Sequence, residues 1–169
     1  QGVALANTGR RLADQVRSAR RLLRRAYRRV VEGERRGAEE WLRDNYYLLE
    51  RSAASAQRDL KRSPALPSRE GKPVMYTLCE RAVKAFAGKQ RLEETLHTIL
   101  DEAGGSFSSR ELELCGLFLQ TALIHSAAAN LQGEGSAFGR AVEGVREVSS
   151  LDVDELIDRY CPMEQILAG

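Results

Sequence analysis

The chain has 169 residues, 43% apolar and 30% charged, with a formal net charge of +2, which fits one globular domain able to bury a core without disulfide or metal staples. Aromatics make up 6% and there are four prolines, while alanine, leucine, arginine and glutamate dominate, a mixture that favours helices over a large sheet. The most apolar stretch, Leu112 to Leu131, is interrupted by Glu113, Gln120, His125 and Asn130, so no segment reaches the roughly 18 apolar residues that a membrane-spanning helix needs.

The first element is predicted from about Val3 to Glu32. Leu12, Val16, Ala19, Leu23, Ala26 and Val30 recur at alternating steps of four and three, which paints one narrow apolar stripe on a helix. Arg17, Arg20, Arg21, Arg24, Arg25 and Arg28 fill the other side. Residues 1–36 hold 11 arginines against Asp14, Glu32 and Glu34, whereas the rest of the chain holds 15 basic residues against 21 acidic ones. A basic front and an acidic body either attract each other or leave the front for an anionic partner.

A second helix is expected from about Gly37 to Lys61, with Glu39 and Glu40 at the positive end of its dipole. Its inward face uses Ala38, Trp41, Leu42, Asn45, Leu48, Leu49 and Ser52. Pro64 and Pro67 break the pattern, and residues 63–73 read as an exposed loop. Helices follow at Val74–Ala87, ending at Gly88, and at Arg91–Ala103, ending at Gly104-Gly105. Ser108 and Glu111 have capping-box spacing. They open a fifth helix to about Gln132 that is apolar on most sides and is expected at the centre of the core. A weaker helix is expected from Gly135 to Val148. A last one, capped by Ser150 or Asp152, runs to Asp158, and Met163–Leu167 reads as a further turn. The predicted architecture is an all-α bundle of six or seven helices with short connections. Its divisions are a basic helix (1–36), core helices (37–132) and C-terminal helices (133–169).

No residue pattern points to catalysis. Cys79, Cys115 and Cys161 make no C-x-x-C pair and read as reduced, buried thiols. His97 and His125 lack zinc-ligand spacing, Gly104-Gly105 is not a phosphate loop, and no carboxylate pair stands out as acid and base. The expectation is no catalytic residue, no metal and no cofactor. A small helical enzyme using Tyr46 or Tyr47, Asp44 and a histidine would need a pocket that brings them together. The arginine face reads most plainly as solvated or covered by an acidic neighbour. The sharper reading is a contact with nucleic acid or anionic lipid.

The segment Glu39–Glu50, EEWLRDNYYLLE, carries the only tryptophan. Trp41, Asn45, Leu48 and Leu49 share one face, with Asp44 and Tyr47 one step round. Tryptophan and tyrosine bury large areas while keeping a polar tip, and an asparagine among them needs a partner. The interaction face is therefore assigned to Trp41, Asp44, Asn45, Tyr47 and Leu48, as a helix-docking surface with a polar lock. Sugar recognition is the lesser alternative.

The same residues carry a family likeness. RRLLRRAY (Arg20–Tyr27) followed by GAEEWLRDNYYLLE (Gly37–Glu50) resembles the N-terminal segment of the cyclic β-1,2-glucan synthases. GKPVMYTL (Gly71–Leu78), ELEL (Glu111–Leu114), TALIH (Thr121–His125) and MEQIL (Met163–Leu167) are similar in order. The loop Ser63–Pro67 is shorter than the family's, and Glu113 and Gly116 stand where family members carry Trp and Pro. The resemblance implies a non-catalytic helical N-terminal domain of a large bacterial inner-membrane enzyme that polymerises glucose from UDP-glucose. The domain would lie on the cytoplasmic side and dock or orient the catalytic domains of the same polypeptide. A start at Gln rather than Met fits a piece of a longer protein. The alternative is a free-standing helical adaptor whose basic first helix binds nucleic acid or a membrane surface.

Overall fold

A computed structural model describes residues 4–33, 37–133 and 135–162. Among these are eight helices: α1 (Gly9–Val31), α2 (Ala38–Leu60), α3 (Val74–Ala85), α4 (Leu92–Glu102), α5 (Ser109–Glu113), α6 (Cys115–Ala129), α7 (Gly135–Val148) and α8 (Val153–Tyr160). The helical bundle expected from composition and periodicity is present, mostly α, with eight helices among the described residues where six or seven were expected. The expected turn at Met163–Leu167 lies outside the described residues.

Three expectations are corrected. The predicted exposed loop 63–73 contains β2 (Leu66–Arg69) and β3 (Lys72–Pro73), which join β1 (Ala4–Ala6) in an antiparallel sheet of order β1-β2-β3. Leu5 stands opposite Pro67, and Arg69 opposite Lys72. Glu70 and Gly71, both at positive φ, make the two-residue turn whose twist suits a hairpin. Strands this short carry no periodic signal, and a proline in the middle strand argues against pairing, so the pattern gave no warning. Ala4–Ala6, read as the start of the first helix, is the edge strand instead.

The fifth predicted helix is two. The capping box forms as expected, with the Glu111 N–H donating to Ser108 Oγ at 3.2 Å and the Ser108 N–H to Glu111 Oε1 at 3.2 Å. α5 then stops at Leu114, a one-residue turn that stays in the right-handed helical region (φ −93°, ψ −1°), and α6 restarts at Cys115.

α6 is the hub. Its apolar residues face every direction, and it packs against α1, α2, α3, α5 and α7, as an all-round apolar helix must. Phe118, Leu119, Leu123, Ile124 and Ala127 are buried there among residues from all the other helices, Leu112 of α5 included. The three cysteines are free and buried; burial pushes the Cys79 thiol well up. α8 is pinned at its end: Tyr160 donates its hydroxyl to the His97 carbonyl at 3.1 Å and its own carbonyl accepts from Phe107 N–H at 2.9 Å. Burial, with help from Asp101, pushes the Tyr160 phenol up to about 12.

α1 and α2 lie side by side. Their close approach is set at the start of α1, where a Cβ on Gly9 would fall 2.0 Å from the Leu60 carbonyl oxygen. No helix among the described residues is long and apolar enough to cross a membrane.

Candidate functional site

α2 is gripped on two sides, by α1 and by α7, and this divides the EEWLRDNYYLLE segment. At 100° per residue, Trp41, Asn45 and Leu48 turn toward one side and Tyr46 and Glu50 toward the other, with Leu42 and Leu49 between them.

On the α7 side, Trp41 meets Gly139: a Cβ there would come within 2.7 Å of Trp41 Cε2. Gly135, one turn earlier, faces Trp41 Cδ1 and the Gly37 carbonyl. Asn45 is buried and fully engaged. Its Nδ2 donates to the Trp41 carbonyl at 2.9 Å, and its Oδ1 accepts from Arg146 Nη2 of α7. Half-buried Leu48 borders a shallow depression with Ser52, Val145 and Val148. The amide therefore ties α2 to α7 of the same chain.

On the α1 side, Tyr46 stacks on Tyr27 with centroids 4.1 Å apart and planes 7° from parallel. Sequence reading placed Tyr46 on no buried face, yet it is buried. Tyr47 meets Tyr27 edge-on at 5.9 Å and Tyr46 at 5.4 Å, but is 73% exposed. A hydrogen bond to Tyr47, together with burial, holds the proton on Tyr27 and raises its phenol. Glu50 collects two arginines. Arg20 pairs with it and also donates to Gln57 Oε1 at 2.7 Å, while Arg24 Nη2 lies 3.6 Å from Glu50 Oε1. Tyr46 and Glu50 hold the Arg24 guanidinium above its ordinary value. Asp44 is exposed and bonded to its neighbour Arg43 at 3.1 Å.

The predicted basic face is thereby split. Arg20 and Arg24 are turned to α2. Arg17, Arg21, Arg25 and Arg28 are exposed, and among the described residues none of them forms an ion pair. The predicted interaction face is split as well: Trp41, Asn45 and Leu48 serve the internal α2–α7 contact, and Asp44 and Tyr47 face outward.

The histidines lie elsewhere. His97 Nδ1 is 3.1 Å from Arg159 Nη1, and its ring meets Tyr160. His125 lines a groove of about 510 Å³ between α1, α3 and α6, with Gln15, Leu22, Tyr76 and Glu80. Burial lowers the His125 titration, against the opposing pull of Glu80, and Glu80 is itself paired with Lys72 at 2.8 Å. The tyrosines, Asp44 and the histidines that a small enzyme would have to unite are thus distributed over separate parts of the fold. Among the described residues, no group of three or more His, Cys, Asp or Glu side chains converges as a metal site would require. Neither a protein-family model, nor a curated protein, nor a solved structure matches this chain.

Proposed function

We propose that this chain is a non-catalytic helical docking domain of a cyclic β-1,2-glucan synthase-like enzyme. In this reading it orients the glucosyl-transferring domains of the same polypeptide from the cytoplasmic side of the inner membrane. The resemblance of the WLRDNYYL block supplies the context, and Tyr47 supplies the physical support. Its ring is 73% exposed yet already held by Tyr27 and Tyr46. An aromatic fixed before binding loses little conformational freedom on docking, and tyrosine, tryptophan and arginine are the types that dominate protein contacts. Asp44, also exposed, lies beside Tyr47 on the outer side of α2.

The test is binding in trans. The chain is mixed with the polypeptide encoded beyond Gly169 in the same reading frame, and affinity is measured by calorimetry. Tyr47→Ala is expected to weaken binding at least tenfold, about 1.4 kcal/mol, without altering the fold. The isolated chain is expected to transfer no glucose from UDP-glucose. Turnover by the chain alone, or docking indifferent to Tyr47, sinks the proposal. The free-standing adaptor draws support from the exposed arginines of α1, whose ridge has no ion-pair partner among the described residues. It is favoured if the chain binds an anionic partner and shows no affinity for the downstream polypeptide.

A further inference from the structure

The outer face of α1 carries Arg10, Arg17, Arg21, Arg25 and Arg28, all exposed. Their spacings of seven, four, four and three residues place them in one narrow sector, opposite the buried stripe Leu12, Val16, Leu23, Ala26 and Val30. At 1.5 Å per residue the row is about 27 Å long. Asp14 lies in the same sector. Among the described residues, none of the five arginines has an ion-pair partner, in contrast to Arg20 and Arg24 beside Glu50. Such a row of like charges repels itself and gains from an external anionic surface.

The shape of that surface follows from the shape of the row. It is straight and convex, on a helix seated against α2 and α6 along its opposite face. Each flank carries one exposed apolar residue among polar ones: Leu22, 50% exposed, beside Ser18 and Arg29, and Val31, 64% exposed, beside Arg24. A plane of phosphates with an apolar layer beneath it meets all five guanidinium groups at once and accepts the two apolar side chains. A phosphodiester backbone offers nothing to Leu22 and Val31. We propose that α1 is a membrane-surface contact, its Arg10–Arg28 ridge lying along a bilayer of anionic phospholipid, with guanidinium groups on lipid phosphates and Leu22 and Val31 at the acyl boundary. The contact orients the domain, because the body behind α1 carries the excess of acidic residues. It is independent of the Tyr47 docking reading, which uses another surface and a protein partner.

The experiment is co-sedimentation of the purified chain with vesicles of phosphatidylcholine alone or mixed with phosphatidylglycerol. Binding is expected to the mixed vesicles only, and to vanish near 1 M salt, where the screening length is about 3 Å. Arg17→Gln/Arg21→Gln is expected to reduce partitioning about 25-fold, at roughly fivefold per arginine, and Arg25→Gln/Arg28→Gln likewise should the first variant fold poorly. Lys89→Gln/Arg110→Gln removes the same charge from exposed positions off α1 and is expected to leave partitioning unchanged. The proposal is overturned by equal binding to neutral vesicles, by no binding at low salt, or by equal loss in the off-ridge variant. It is also overturned if single- or double-stranded nucleic acid at equal phosphate concentration strips the protein from the vesicles.

Discussion

Trp41 of α2 seats against Gly139 of α7 so closely that a Cβ on Gly139 would stand 2.7 Å from Cε2 and 2.8 Å from Cζ2 of the indole. The absence of a side chain on Gly139 is what lets the largest side chain in the protein reach a neighbouring helix. Gly139→Ala would gain about 1 kcal/mol of helix propensity, but the methyl collides with a rigid ring, and overpacking costs about 1–3 kcal/mol. The expected outcome is a net loss of about 1–2 kcal/mol in urea unfolding and a red-shifted emission from the single tryptophan. Unchanged emission with raised stability would show that the indole is not held there.

Asn45 and Arg146 form the polar part of the same seam. Asn45 is buried and Arg146 is half exposed, so the arginine keeps water when the amide is lost. Arg146→Met, which strands the buried Asn45 Oδ1, is expected to cost about 1–2 kcal/mol and Asn45→Ala less. A double-mutant cycle by chemical denaturation should return a coupling of about 0.5–1.5 kcal/mol. Strict additivity of the two substitutions would mean that the contact contributes nothing.

Adjacent tyrosines should behave in opposite ways. Tyr46 is 7% exposed and stacked on Tyr27, whereas Tyr47 is 73% exposed. Tyr46→Ala removes a buried ring and is expected to cost about 3–4 kcal/mol. Tyr47→Ala should stay within about 1 kcal/mol, losing two edge-on ring contacts. Equilibrium unfolding of the two variants under identical conditions separates them, and similar losses would refute the assignment of Tyr47 to an outer surface.

The groove between α1, α3 and α6 makes a pH-dependent contribution through His125. Burial lowers its native titration below the ordinary value of 6.5, with Lys72 acting the same way and Glu80 opposing. Above about pH 6.5 the imidazole is neutral in both states and contributes no pH dependence. As pH falls below 6.5 the unfolded chain takes up a proton that the native state resists, so stability drops between 6.5 and the lower native value. His125→Gln should flatten that part of the urea-midpoint profile between pH 7.5 and pH 5. A profile as steep as that of the parent chain would rule His125 out as its source.

Parts of this architecture could be read directly. The 3.6-residue periodicity of Leu12–Val30 required a helix with one buried stripe, and α1 buries those residues. The Ser108–Glu111 capping box formed as spaced, because a cap is satisfied by atoms three residues apart. Other parts could not be read. The β1–β2–β3 sheet joins Ala4–Ala6 to Leu66–Pro73 through strands too short to show alternation. The break at Leu114 falls inside an apolar run, and Gly116 two residues on is already within α6.

The sequence by itself determined that the chain forms helices, which face of each is apolar, and that α1 carries a concentration of arginine, since periodicity and composition are properties of neighbouring residues. Only the tertiary structure decided how those faces are used. Glu50 takes up Arg20 and Arg24 and not the outer arginines, Tyr46 turns in while Tyr47 turns out, and Trp41 finds Gly139. Each of these depends on the angle and distance at which two helices remote in the chain come together, and side-chain spacing along one helix carries no record of its neighbour's position.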